Sequence, residues 1–224
     1  MGALGALLFN VLVMPYLLTD PYFENVKFIK DFKNGKITVN PVQQIYVQEN
    51  NAMQDAIQKV ERSIVAIQST KLGIKSGLIL TSDGLVVTLA NAVSLDGDFK
   101  VFLAGQSVDF KVVKTDSKNN LVLIKLPKNN LPTVGFADQD KIKLGQSVFL
   151  VAPTLQGQDN WLANVGIIRE IDQDSVKTNI SESQAAAGSP LFNSAGELIG
   201  LNFIDSEGKI SAVSINKIQN LLGL

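Results

Sequence analysis

Short apolar runs, separated by turn residues, follow one another along the chain from Ser63 onward. They are rich in β-branched residues and read, in order, SIVAIQ, GLILTSDGLVVTLA, DFKVFLA, VDFKVVK and NLVLIKL, then QSVFLVA, NVGIIREI, SVKTNI, PLFNSAGELIGLNF and ISAVSI. The turn Ser82–Gly84 separates two apolar runs and predicts a hairpin. Many short strands with little helix between them are typical of antiparallel barrels or sandwiches. The two groups meet across Pro127–Pro132, so the pattern predicts two antiparallel β-barrels, over about residues 63–127 and 132–224.

Helical patterns flank these strands. Asn51 is a suitable N-cap for a helix whose apolar face consists of Met53, Ile57 and Val60. The final segment, INKIQNLLGL, predicts a second helix. Residues 21–50 predict a juxtamembrane connector that contains a short helix and two strand-like runs.

The N-terminal segment is apolar on nearly every side. Residues 3–18, ALGALLFNVLVMPYLL, contain one strongly polar side chain, that of Asn10. A helix of this length rises about 24 Å, slightly less than a hydrocarbon core of about 30 Å. A signal peptide would begin with basic residues and end at a small-residue cleavage site, and a buried core helix would have a polar face. Since neither pattern is visible, residues 1–20 predict an uncleaved transmembrane anchor, a signal-anchor.

Charge and composition exclude several functions. The 224 residues carry a net charge of −1, and the 20 lysines and arginines are scattered, so a nucleic-acid partner is not expected. The absence of cysteine excludes disulfides, thiolate metal sites and a cysteine nucleophile. The absence of histidine removes the usual general base and the commonest metal ligand. We therefore expect no metal and no cofactor.

Several segments in a fixed order resemble those of one enzyme family. They read SGLIL and DGLVVTLANAV, DSKNNLVLIK, KIKLGQSV and VGII, and finally TN, AAAGSPL and GELIGLN. Over residues 51–224 the chain resembles the HtrA/Deg family of trypsin-fold serine proteases. The resemblance implies a mostly β, trypsin-like (chymotrypsin) fold of two antiparallel barrels, which would follow the N-terminal transmembrane helix predicted from residues 3–18. Because the chain ends after the helix that closes the second barrel, we expect no PDZ domain.

The resemblance also locates a degenerate catalytic triad. The family has histidine, aspartate and serine at the positions that Asn91, Asn120 and Ala187 take in this chain. Alanine offers no lone pair for attack, and asparagine is not basic near neutral pH. We therefore expect that the chain is not an enzyme and that Asn91 and Asn120 hydrogen-bond each other and fill the former site.

The former oxyanion loop consists of Ala185, Ala186 and Gly188. Ala185 stands where the family has a glycine that supplies an oxyanion amide. That role often needs a backbone conformation that costs alanine about 1–2 kcal/mol. We therefore expect the loop to be rearranged.

Two other groups of residues leave alternatives open. A Ser–Lys dyad is a known alternative chemistry, and its candidates are Ser189, Ser181 and Ser183 with Lys177 or Lys209. We favour the interpretation that these serines are loop hydroxyls bonded to local backbone. Trp161, with Asn160 and Asp159, marks either a binding loop or simple packing, and packing is the favoured interpretation.

The sequence thus predicts a membrane-anchored pseudoprotease that binds a peptide segment or protein partner, or acts as a scaffold. The physical basis is that a protease cleft holds extended chains through edge-strand hydrogen bonds, which do not need the triad. The alternatives are a serine endopeptidase-like hydrolase with a non-standard nucleophile, and a purely structural subunit of a membrane complex. Four lysines after the anchor favour a cytoplasmic domain. The family resemblance implies the opposite side, a bacterial periplasm or cell surface, and has more weight.

Overall fold

The computed structural model describes residues 5, 8–27, 29–30, 49–93, 99–154 and 160–224. The chain separates into two compact units, Met1–Val47 and Gln48–Leu224. In the first unit a π-helical turn, Phe9–Val13, leads into helix α1, Met14–Thr19, and a 3-10 turn, Pro21–Phe23. Asp20 caps that last turn by accepting a hydrogen bond from the backbone N–H of Tyr22.

The N-terminal prediction is not supported. Within the described parts of the chain, no helix combines the length and the apolar character that crossing a membrane requires. The strand-like runs predicted within residues 21–50 lie outside the described residues, apart from Glu49, which begins a helix instead.

The second unit contains two helices and all thirteen described strands. Helix α2 spans Glu49–Glu61 and helix α3 spans Ile215–Leu222. The first seven strands are β1 Ile64–Ser69, β2 Gly73–Ile79, β3 Leu85–Leu89, β4 Phe99–Leu103, β5 Gln106–Val108, β6 Lys111–Asp116 and β7 Leu121–Lys125. The other six are β8 Ser147–Pro153, β9 Trp161–Ile171, β10 Ser175–Ser181, β11 Pro190–Asn193, β12 Leu198–Ile204 and β13 Lys209–Ser214.

The first seven strands form an open half-barrel with the order β5-β4-β1-β2-β3-β7-β6. The predicted hairpin is confirmed, since β2 and β3 pair antiparallel around Gly84, whose φ is +97°. The prediction that this half closes into a barrel is wrong. The edge strand β5 has only three residues, and a bulge between Val112 and Lys114 bends the other edge strand, β6. These two edges are not paired with each other.

The last six strands form the closed antiparallel barrel that the sequence predicts, in the order β10-β13-β12-β11-β8-β9. Strand β8 is buried on both faces after its first residue. Its neighbours include β1 and β2 of the half-barrel as well as the barrel strands. Phe149 of β8 packs against Phe192 of β11 with ring centroids 5.4 Å apart. Because successive side chains point to opposite faces, β8 joins the core of the barrel to that of the half-barrel.

Both predicted helices of this unit are present, but the first begins at Glu49, so the prediction of Asn51 as its N-cap is wrong. Val60 of α2 is fully buried, and Met53 and Ile57 pack against the same core, so the predicted apolar face is confirmed. In α3 the buried face consists of Ile215, Ile218 and Leu221. Helix α2 thus packs against β8, and helix α3 packs against β12 and β13.

Candidate functional site

Asn91 and Asn120 are joined directly. Asn91 lies in the 3-10 turn Ala90–Ala92 that follows β3, and its side chain is exposed. Its backbone N–H donates to the side-chain Oδ1 of Asn120 over 3.0 Å. The neighbouring N–H, that of Ala90, donates to the backbone carbonyl of Asn120 over 2.9 Å. Asn120 therefore holds the end of β3 with both of its carbonyl oxygens.

Local chemistry fixes Asn120 in this position. Its φ of +54° lies in the left-handed region, which asparagine tolerates better than most side chains. Just before it, Asp116 accepts hydrogen bonds from the backbone N–H groups of Lys118 and Asn119, each over 3.1 Å. The side-chain amide of Asn119 also donates to Asp116 and, with these backbone bonds, lowers the pKa of that carboxyl. The turn that presents Asn120 to β3 is thus held by a network of its own.

Ala187 is buried in the loop between β10 and β11, directly after the 3-10 turn Gln184–Ala186. Its carbonyl accepts from the N–H of Ser76 in β2 over 3.2 Å. Its own N–H donates back to the carbonyl of Gln184, also over 3.2 Å. An oxyanion hole needs amide N–H groups directed at the substrate oxygen. In this structure the Ala187 amide is directed into its own turn.

The backbone of the Ala187 loop is also unstrained at Ala185. Among the described residues, the non-glycine positions with positive φ are Ala104, Asn120 and Asn130. Ala185 is not one of them. The loop therefore forms a compact 3-10 turn without the strain that alanine would carry in a left-handed conformation.

Gly188 brings the Ala187 loop close to the end of β3. Its φ is +81°, and a Cβ atom there would lie 2.5 Å from the carbonyl oxygen of Ser76 and 3.2 Å from Oγ1 of Thr88. Thr88 donates to the same Ser76 carbonyl over 2.7 Å. Asn91 follows Thr88 by three residues, a chain length of at most about 11 Å. The Ala187 loop therefore packs against Ser76 of β2 and Thr88 of β3, and Asn91 lies within about 11 Å of Thr88.

The serine two positions after Ala187 is inaccessible. Ser189 is fully buried, and its Oγ accepts from the Nδ2 of Asn202 over 3.0 Å. The backbone N–H of Asn202 donates to the Ser189 carbonyl over 2.8 Å, and the N–H of Gly188 donates to the Asn202 carbonyl over 2.8 Å. The other side-chain atom of Asn202, Oδ1, is buried without a partner. Ser189 thus belongs to a buried polar link between the loop and β12.

The lysines proposed for a Ser–Lys dyad are poor bases here. Lys177 lies 2.7 Å from Glu170, and this hydrogen bond raises the pKa of Lys177. Lys209 lies 2.5 Å from Glu207, and that contact raises its pKa as well. A lysine base needs the opposite shift, so both groups stay charged. Ser181 and Ser183 are exposed.

Two residues at the loop have contacts that the sequence patterns did not indicate. Lys75 of β2 is half-buried, burial lowers its pKa, and its Nζ donates to the carbonyl of Gln184. The side chain of Gln184 donates to the carbonyl of Ile204 over 3.1 Å and to that of Asp205 over 3.4 Å. These contacts join segments 109 and 20 residues apart, so no local motif could reveal them.

The remaining candidates are Trp161, Asn160 and Asp159. Trp161 begins β9, pairs with Pro153 of β8 and keeps 37% of its surface exposed, so it is only partly packed. Asp159 lies outside the described residues. In the part of the chain that the structure describes, no group of His, Cys, Asp and Glu side chains could hold a metal ion.

Known proteins resemble this chain in sequence and in fold. The family profile described as "Trypsin-like peptidase domain" matches residues 75–201, more than half of the chain. A protein named "Probable periplasmic serine endoprotease DegP-like" from Pseudomonas putida strain F1 is 32% identical over 136 residues, 57% of this chain and 28% of that protein. "Putative serine protease HhoB" from Synechocystis is 32% identical over 165 residues, 66% of this chain and 39% of that protein.

The solved structure of Deg5 has a TM-score of 0.69 to this chain, and the match covers 77% of this chain and 93% of Deg5. At 22% identity, that likeness shows the fold alone. The chain spans well under half the length of the two curated relatives.

The comparisons also correct one expectation. The prediction that the chain is not an enzyme is contradicted, because the curated relatives carry the names of serine proteases. The family profile and the fold agree with the resemblance that the sequence segments carry. The chain therefore belongs to the trypsin-like peptidase domain family, as an HtrA/Deg-like member.

Proposed function

We propose that this domain binds an extended polypeptide segment along β12, next to the Ala187 loop. The observation that carries the proposal is an open strand edge. Strand β11 pairs with β12 only from Leu198 to Leu201, whereas β13 pairs with β12 as far as Ile204. The last residues of β12 therefore extend beyond their partner strand on one side.

The backbone groups on this side are oriented for a further strand. Asn202 directs its N–H and carbonyl to Ser189 and Gly188 of the loop. Because backbone groups alternate in direction along a strand, Ile204 directs its own pair to the same side. An extended chain adds to such an edge through main-chain hydrogen bonds, largely independently of its sequence. Phe203, between these residues, keeps 37% of its surface exposed and offers an apolar contact for a neighbouring side chain.

A binding measurement tests this proposal. We expect the full chain to bind fluorescently labelled, reduced and carboxymethylated lactalbumin, an unfolded probe, as measured by anisotropy. Phe203→Asp should weaken that binding about tenfold, the loss of roughly one buried apolar contact. Val113→Asp is a matched control, since Val113 is an exposed apolar residue of β6 in the half-barrel. Equal affinities for Phe203→Asp and Val113→Asp would exclude β12 as the binding edge.

A second candidate function is hydrolysis of the bound polypeptide, which the names of the relatives favour. In this chain the attacking hydroxyl would have to come from a residue other than Ala187. Lys75 has a lowered pKa and contacts the loop that carries Ser183, so it supports this candidate better than Lys177 or Lys209. Labelling of Ser183 by a fluorophosphonate probe, lost in both Ser183→Ala and Lys75→Met, would support it. Absence of labelling together with intact casein would exclude it.

We also propose that the domain lies outside the cytoplasm, as the word "periplasmic" in the name of one relative suggests for that protein. The chain contains no cysteine, so a single introduced thiol reports its own location. Ser82 is exposed in the β2–β3 turn. Ser82→Cys should react with a membrane-impermeant maleimide in intact cells with a permeable outer envelope. Reaction only after lysis would indicate a cytoplasmic domain.

A further inference from the structure

The side chain of Gln184 lies against the same strand edge that the proposed function assigns to a polypeptide. Its Nε2 donates to the carbonyl of Ile204 over 3.1 Å and to that of Asp205 over 3.4 Å. An added β-strand would direct a backbone N–H to the Ile204 carbonyl in the same way. The primary amide of Gln184 thus takes the position of an incoming peptide N–H.

Gln184 is held in this position from two other sides. Its carbonyl accepts from the N–H of Ala187 over 3.2 Å and from the Nζ of Lys75 in the neighbouring β2. The loop behind it is restrained in turn, because the Ala187 carbonyl accepts from the N–H of Ser76. With its backbone fixed in this way, only the side-chain rotamers of Gln184 lose freedom when its amide reaches the carbonyls of Ile204 and Asp205.

The contact is not needed to satisfy a buried donor. Gln184 is exposed, so its amide would find water partners if it left β12. A competing donor can therefore readily replace the Gln184 amide in its hydrogen bonds to the carbonyls of Ile204 and Asp205. This distinguishes Gln184 from Asn202, whose side chain is fully buried and bonded to Ser189.

We propose that Gln184 is an autoinhibitory residue whose side-chain amide competes with polypeptide main chain for the open edge of β12. The inference rests on the proposed function, since it concerns affinity at the same edge. A bound segment displaces the Gln184 amide from Ile204 and Asp205. The free chain therefore binds more weakly than the strand edge alone would allow.

The test compares matched variants of the full chain. Gln184→Met keeps the length of the side chain and removes its donor. It should bind the carboxymethylated lactalbumin probe about fivefold more tightly, the factor of roughly one net hydrogen bond. Gln106→Met serves as the control, since Gln106 is an exposed glutamine on β5 of the half-barrel, and its affinity should equal that of the parent. Gln184→Ala is the second variant if Gln184→Met alters the melting temperature.

The outcomes separate the two claims. No binding by the parent, by Gln184→Met or by Gln184→Ala would contradict the proposed function. Binding by the parent, with equal or weaker binding by both Gln184 variants, would overturn the autoinhibitory role and leave the binding edge standing. Hydrogen exchange provides an independent measurement, because a bound probe should protect the amide of Ile204 in the parent and more strongly in Gln184→Met.

Discussion

At the end of β3, side-chain chemistry holds the backbone, because Asn120 accepts the N–H of Asn91 with its side chain and that of Ala90 with its main chain. In the loop that carries Ala187, the backbone is held by hydrogen bonds within its own turn, by others to the backbones of Ser76 and Asn202, and by the close approach of Gly188 to Ser76. The end of β3 depends on the identity of the Asn120 side chain, and the Ala187 loop depends on the absence of a side chain at Gly188. Substitutions should therefore affect them through different mechanisms and by different amounts.

The largest effect is expected at Gly188. Gly188→Ala would strain a φ of +81° and set a Cβ 2.5 Å from the Ser76 carbonyl oxygen, so the free energy of unfolding should fall by about 3 kcal/mol or more. Gly145→Ala is the matched control, since its φ is +77° but no atom lies within 4 Å of the added Cβ. It should cost only about 1 kcal/mol of strain. Urea unfolding measures both, and equal losses would mean that the loop does not pack against β2.

The next effect concerns the side chain of Asn120. Asn120→Gly keeps the left-handed backbone at no strain but removes the acceptor for the Asn91 N–H, so it should destabilise the fold by about 1 kcal/mol. Asn130→Gly controls for the added freedom of glycine, because Asn130 is exposed with a similar φ of +57°. If both variants lose the same stability, the Asn120 side chain contributes nothing beyond its conformation.

The strands, the first sheet and the contacts of Asn120 and Gln184 show how far the sequence could predict the structure. The strands were predictable because β-branched runs and turn residues such as Ser82–Gly84 act locally. Closure of the first sheet was not, since it depends on whether β5 and β6 meet, which no local pattern encodes. The hydrogen bond between Asn91 and Asn120 joins residues 29 positions apart, and the Gln184 contact with Ile204 joins residues 20 positions apart. Such contacts arise from tertiary geometry, so only motif alignment, and not periodicity, indicated where the first would form.

A smaller effect should appear as pH dependence in the turn that presents Asn120. The hydrogen bond from the Asn119 side chain is the main cause of a lowered pKa of Asp116 in the folded state. The backbone N–H groups of Asn119 and Lys118 lower this pKa further. The resulting stabilisation is fully present above the unfolded pKa, about 3.9, and disappears as the pH falls through the lower folded value. Because Asp116 is largely solvated, the contribution should not exceed about 0.5 kcal/mol. The stability difference between the parent and Asp116→Asn should narrow between pH 5 and pH 2.5, and a constant difference would contradict this role.

The smallest expected effect is that of restoring a single group in the loop. Ala187→Ser supplies a hydroxyl at the predicted nucleophile position, but Asn91, at the predicted base position, cannot accept its proton near neutral pH. The Ala187 N–H also donates to the Gln184 carbonyl, so it does not stabilise an oxyanion. Casein hydrolysis and fluorophosphonate labelling by Ala187→Ser should therefore equal those of the parent.

Asn91→His combined with Ala187→Ser supplies the base as well, and labelling should rise in that variant alone. A rise with Ala187→Ser by itself would show that the loop acts independently of the Asn91–Asn120 region, and the two halves of the site would not form one unit.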